Sequence, residues 1–441
     1  MSIVSSVPNR WQLRMSDALL WPRMRARSGG WMRGLGVIAD QAVVSLASFL
    51  ATVIVGRYCG QHELGVFGLA VSIFWLAAGI PNALVWTPYT ARAAKLPTAR
   101  RALFAGSTLL HALLVSFAIC GALLLLAVLP IGALQQNVWF APMCLALVPF
   151  TIMMTFREHV RRINLAHLQI SDLLAIDTPI AVIQIALLLL LANFGSLSAN
   201  TALLAIAAAS GGAIVWLVRE QARFRFRPRR AVLHWSHNQR FGRWLLFVSL
   251  MWLIGDSSYR WLVVSLHGTE SLGQFAAAQN IVLVLNPVLL TVTNLMQALS
   301  ANWFAEGGAR ALRQKVARST LWLAIAAGAP LLVLAAIGGP LVQIVFGDSY
   351  AGLGPVVVTL SLGMFARIVA MPIDGAMVAL QRGRVMVVAA AVRLIAIVAA
   401  GVPLIAWRGL EGVGYAMAAS AAAGAIIQWW SLAQGGRNEK C

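Results

Sequence analysis

Apolar residues run along this chain in long, nearly unbroken blocks separated by short polar stretches. A helix needs about 20 mainly apolar residues to cross a hydrocarbon core roughly 30 Å thick. Barrel strands would instead leave short alternating segments. Reading the blocks against their loop signals predicts twelve helical spans. The first six cover roughly 35–56, 66–87, 103–129, 137–156, 173–193 and 199–219. The second six cover roughly 244–266, 272–301, 319–346, 355–380, 385–407 and 411–433. The fold class that follows is an all-α polytopic membrane protein.

Two polar stretches between spans share one skeleton. Gly60, Leu64, Gly65, Phe67 and Ala70 recur as Gly268, Leu272, Gly273, Phe275 and Ala278, offset by 208 residues. Each copy joins the first two spans of its half, so the corners centred on Gly60 and Gly65 and on Gly268 and Gly273 mark a duplicated unit. Six plus six spans with parallel repeats imply two six-helix lobes around a central cavity. The lobes would occupy 35–219 and 244–433. A basic N-terminal segment over 1–34, a basic linker over 220–243 and a tail over 434–441 would lie on the cytoplasmic side. Prolines at 81, 149, 179, 287, 330, 340, 372 and 403 fit bent helices lining such a cavity.

Composition supports this reading and charge orients it. Hydrophobic residues make up 60% of the chain, charged residues 11%, and the mean hydropathy is +0.80, outside the range of ordinary soluble domains. The net charge of +20 raises the question of nucleic acid, but the basic residues follow topology instead. With the N-terminus inside, 29 of the 34 Lys and Arg fall on the cytoplasmic side, including the 157–172 loop. Both termini are therefore expected inside. Arginines interleaved with Trp11, Leu13, Leu19, Leu20 and Trp21 fit an amphipathic segment on anionic lipid, and no cleaved signal peptide is expected. The Arg223-Phe224-Arg225-Phe226-Arg227 run is read as a lipid-facing, topogenic loop, with no nucleic-acid partner. The four cysteines have no metal or redox spacing.

Charges within the spans are the candidate chemistry, because each costs roughly 2.5–3.5 kcal/mol at mid-bilayer on insertion scales. They are Asp40 in span 1, Asp256 and Arg260 in span 7, Arg367 and Asp374 in span 10, and Arg393 in span 11. Asp177 reads as interfacial. Asp256 and Arg260, at i and i+4, can pair on one helix face. Arg367 and Asp374, at i and i+7, are about 10 Å apart along the axis. Arg367 and Arg393 thus have no adjacent carboxylate in sequence, which favours a polar cavity for an anion, since arginine stays ionised and forks onto phosphate oxygens. Gln184, Gln279, Asn280, Asn286, Asn294 and Gln297 suit interhelical hydrogen bonds, and His111 reads as a packing residue. No nucleophile triad, phosphate loop, metal cluster or ATPase-sized domain is present in the sequence, so no enzymatic activity, metal or cofactor is expected, and transport would draw on gradients.

Asp40-Gln41 at the first span, the Gly56-to-Phe67 corner, Arg157-Glu158-His159-Val160-Arg161-Arg162 and Phe346-Gly347-Asp348-Ser349-Tyr350 together resemble the Wzx-type flippases. These belong to the multidrug/oligosaccharidyl-lipid/polysaccharide (MOP) exporter superfamily, and the likeness covers about 33–433. It implies a MATE-like pair of lobes in a bacterial inner membrane, moving an undecaprenyl-diphosphate-linked oligosaccharide outward by alternating access. Arg260, Arg367 and Arg393 would hold the anionic head group. Asp40, Asp256 or Asp374 would couple transport to protons or sodium, and polysaccharide assembly proteins would be partners. Two alternatives stand beside it. One is a cation-coupled multidrug exporter of the same superfamily, which should have an acidic cavity. The other is a membrane polysaccharide polymerase or glycosyltransferase, which would need a large outer loop that this chain lacks.

Overall fold

The computed structural model describes residues 30–93, 96–129, 137–220, 224–225 and 227–438. All the regular structure among those residues is helical, with no strand among them. The helices are α1 (Gly30–Pro81), α2 (Thr87–Ala93), α3 (Thr98–Val128), α4 (Phe140–Ala166), α5 (Ile170–Asn193), α6 (Ala199–Ser210) and α7 (Gly212–Arg219). The remainder are α8 (Pro228–Val282), α9 (Asn286–Phe346), α10 (Gly354–Ala379), α11 (Gly383–Ala396), α12 (Val402–Arg408) and α13 (Leu410–Asn438). Nine helices among the described residues are long and apolar enough to cross a membrane. The expected basic amphipathic segment lies outside the described residues up to position 29, as do the side chains of Asn286, Asn294 and Gln297.

The repeated corners have the same backbone. Gly60 sits at φ 82°, ψ −176° and Gly268 at φ 82°, ψ −178°, each bending a long helix, α1 or α8, into two arms. A side chain would disfavour that positive φ, and glycine has none to oppose it. The two corners also pack against each other, and they do so reciprocally. A Cβ on Gly65 would come within 1.9 Å of the Thr269 carbonyl oxygen, and one on Gly273 within 1.9 Å of the Gln61 carbonyl oxygen. Hydrogen bonds flank the seam, joining Thr269 Oγ1 to His62 Nδ1 at 2.7 Å and Gln274 Nε2 to Gln61 Oε1 at 2.9 Å. Beside it, Tyr350 donates to the Gly56 carbonyl at 3.1 Å and Gln61 donates to the Ser349 carbonyl. Val55, Leu64, Phe67, Leu272, Phe275, Phe346 and Tyr350 are buried together in the largest core cluster. The molecule is closed at this end.

Several boundaries differ from the sequence reading. The supposed loop at 157–172 is the last turns of α4, which continues to Ala166, and only 167–169 separate it from α5. The hydropathy dip there comes from buried arginines, not from solvent. The basic linker read over 220–243 is the first part of α8 from Pro228 onward, and α9 is bent at Gly307 and Gly308. Of the prolines, Pro81 precedes a π turn at Asn82–Trp86 and Pro403 follows one at Ile397–Gly401. At Pro403 the turn contains Ala399, four residues back, and so takes up the ring clash and missing donor that the proline imposes there. Pro149, Pro179, Pro330, Pro340 and Pro372 stay inside continuous helices. Glu63, in the first corner, accepts a hydrogen bond from the Ala199 amide at 2.6 Å, at the start of α6.

Candidate functional site

The charged residues of the two halves gather into two separate clusters of different character. In the first half, α4 carries Arg157 and Arg161 one turn apart. Arg157 Nε donates to Asp177 Oδ1 at 3.0 Å, Arg161 NH2 donates to Asp40 Oδ2 at 2.9 Å, and Arg161 Nε lies 3.3 Å from Asp177 Oδ2. The side chains of Asp40 and Asp177 are 2% and 0% exposed, so this is a sealed, charge-balanced quartet across α1, α4 and α5. Asp177 is therefore not interfacial. One helical layer further along, Gln184 donates to the Ala47 carbonyl. The sequence signal for the quartet was the i, i+4 arginine pair flanked by apolar Val160 and Ile163, with Asp177 opposite.

In the second half Asp256, Arg367, Asp374 and Arg393 line a cavity of about 370 Å³ bounded by α8, α10, α11 and α13, and Arg260 joins them through Asp256 without lining it. Asp256 sits between two guanidinium groups: Arg367 NH1 donates to Oδ1 at 3.0 Å, and Arg260 NH1 lies 3.5 Å from Oδ2. Arg260 also donates to Gln279 Oε1 at 2.9 Å. Asp374 Oδ1 accepts from Arg393 at 2.9 Å and from Gln428 Nε2 at 2.6 Å. The expectation that Arg367 and Arg393 lack a neighbouring carboxylate thus fails, because their partners come from other helices. The i, i+4 pairing of Asp256 with Arg260 is present, and Arg367 and Asp374 each turn to a different partner. Trp252, Met251 and Met371 form an apolar wall, with Arg367 5.9 Å from the Trp252 ring centroid, and Tyr259 shares a 2.7 Å hydrogen bond with Ser420.

The side chains that form these pairs are 20–37% exposed, in contrast to the sealed quartet. Counting the charged groups of the cluster, three arginines face two aspartates, an excess of one positive charge. A guanidinium that keeps part of its surface open can exchange its carboxylate for another oxyanion at lower desolvation cost than a buried one. Sequence reasoning overlooked Gln428, Trp252, Tyr259 and Ser420, all on apolar helices whose neutral or aromatic residues look like ordinary span residues. His111, read as packing, bonds the Ala231 carbonyl at 3.1 Å.

The helical arrangement matches solved transporters. Against the lipid II flippase MurJ in an inward closed conformation the TM-score is 0.70 at 11% identity, over 91% of this chain and 87% of that one. Against an inward-facing multidrug resistance MATE family transporter of the MOP superfamily it is 0.69 at 16% identity, over 88% and 94%. The fold is that of the MOP superfamily transporters. An outward-facing MATE family transporter of the superfamily scores 0.58 at 15% identity, over 92% and 95%. No protein-family model matches the chain, and no curated protein sequence does. At these identities the likeness carries the fold and leaves the cargo to the residues of the site.

Proposed function

We propose that this protein is a flippase that carries an undecaprenyl-diphosphate-linked oligosaccharide across the bacterial inner membrane by alternating access. The observation that carries the reading is the pair of partly exposed guanidinium groups, Arg367 and Arg393, on the wall of the second-half cavity, with Arg260 behind Asp256 leaving the whole cluster one positive charge in excess. Such a site suits a diphosphate, whose oxygens take the forked donors of arginine. In this reading the chain has twelve spans in two lobes, both termini are cytoplasmic, and the corner end faces outward. Asp40, Asp256 and Asp374 are its candidates for proton or sodium coupling. Within the sealed quartet Asp40 has no opening to the cavity, which favours the latter two.

A multidrug exporter is the second reading, favoured by the wall of Trp252, Met251 and Met371, which an aromatic cation would fill. The excess of arginine opposes it. The test is a strain lacking the gene, scored for surface polysaccharide, for the cytoplasmic-leaflet pool of lipid-linked oligosaccharide and for sensitivity to cationic dyes. Lost polysaccharide with accumulated full-length lipid-linked units supports the flippase. Intact polysaccharide with raised dye sensitivity supports the drug exporter.

A further inference from the structure

Arg393 is held differently from the other two arginines, and the difference lies in α13. Its stem crosses that helix at Gly424, where a Cβ would come within 2.1 Å of Arg393 Nε, 2.6 Å of Cγ and 2.8 Å of Cδ. No larger residue at 424 leaves the arginine where it is. One turn on, Gln428 is 2% exposed and touches both members of the pair. Its Nε2 donates to Asp374 Oδ1 at 2.6 Å, and its Oε1 accepts from Arg393 NH2 at 3.4 Å. Positions 424 and 428 lie on one face of the helix. Together they form a notch and a clamp for one guanidinium.

The consequences for exchange differ between the two clusters. Arg260 and Arg367 share Asp256, so an anion that takes either arginine competes with a carboxylate that both guanidinium groups hold. Asp374 has one guanidinium and one amide on the same oxygen. If Arg393 turns to a ligand, Gln428 keeps a hydrogen bond on Asp374, so that carboxylate is not left unpaired. The notch meanwhile keeps the arginine stem against α13, so the charge stays at the cavity wall.

Resting on the anion reading above, we infer that Arg393 is the exchangeable phosphate-binding residue of the cavity and that Gly424 and Gln428 are its positioning residues. The ligand class is a lipid diphosphate. Gly424→Ala pushes a flexible side chain and no backbone, so the helix pair tolerates it while the guanidinium moves.

The test uses the full chain in lipid nanodiscs, with farnesyl diphosphate as probe and farnesol as the uncharged control. The wild type is expected to bind the diphosphate far more tightly than farnesol. Loss of a charge-assisted contact predicts about tenfold or more weakening for Arg393→Ala and Gly424→Ala. Gln428→Leu, which leaves the notch open, should weaken binding severalfold, with farnesol binding unchanged in all three. The deciding readout is coupling: Gly424→Ala/Arg393→Ala should bind no more weakly than Arg393→Ala alone. If Gly424→Ala and Gln428→Leu bind as the wild type does, or if the double variant loses the sum of the single losses, the positioning inference is overturned while the anion reading stands. If the wild type binds the diphosphate no better than farnesol, both fall.

Discussion

Replacing Gly273 by alanine should drive the two halves apart at the corner end. The added Cβ would stand 1.9 Å from the Gln61 carbonyl oxygen, 2.7 Å from its carbon and 3.1 Å from its Cα, all backbone atoms that cannot rotate away. A carbon needs roughly 3.3 Å from an oxygen, so the arms must separate by more than about 1 Å. That overpacking costs about 1–3 kcal/mol. The His62–Thr269 and Gln61–Gln274 hydrogen bonds span the same seam, and their loss adds about 0.5–1.5 kcal/mol each. A total near 3 kcal/mol shifts the ratio of corner-closed to corner-open molecules by roughly a hundredfold. Spin labels at Tyr58 and Leu266, both exposed and equivalent in the repeat, would report it as a longer distance by pulsed electron resonance in a background without the native cysteines. Gly65 meets the Thr269 carbonyl at the same 1.9 Å, so Gly65→Ala must behave alike. An unchanged distance distribution in Gly273→Ala, or opposite behaviour of the two variants, would refute the reciprocal-seam argument.

Other consequences are open to direct measurement. Arg157→Ala leaves Asp177 buried with only the more distant Arg161, and should lower stability by about 3–5 kcal/mol, read as a reduced unfolding temperature in detergent. Asp374→Asn keeps the Gln428 contact at a partly exposed site and should change that temperature far less. Arg367→Ala and Arg393→Ala should abolish surface polysaccharide while membrane abundance by immunoblot stays normal; normal export by both would remove the anion cavity. Gly60→Ala forces a Cβ into φ 82° and should destabilise the protein by about 1–2 kcal/mol, whereas substitution at Gly121, in open space and helical, should cost nothing comparable.

Length and continuity of apolar runs were enough for an all-helical membrane fold, because lipid leaves backbone groups no partner outside a helix or a closed barrel. The Gly60 and Gly268 repeat was legible for a similar reason: a bend with positive φ selects glycine locally, whatever surrounds it. The i, i+4 pairing of Asp256 with Arg260 was legible too, being set by helix geometry alone. Pairings between helices were not. Arg367 with Asp256, Arg393 with Asp374, and Arg161 with Asp40 join residues 111, 19 and 121 positions apart, and no local period encodes which face meets which. The same limit misplaced 157–172, since a buried arginine and a solvated one lower hydropathy equally, and only packing against α1 and α5 tells them apart. Chain chemistry therefore determined the helices, their bends and the inventory of charges, each a property of neighbours in sequence. Tertiary packing alone decided that one set of charges is sealed and balanced while the other stays partly exposed beside a cavity, because desolvation and pairing depend on neighbours in space.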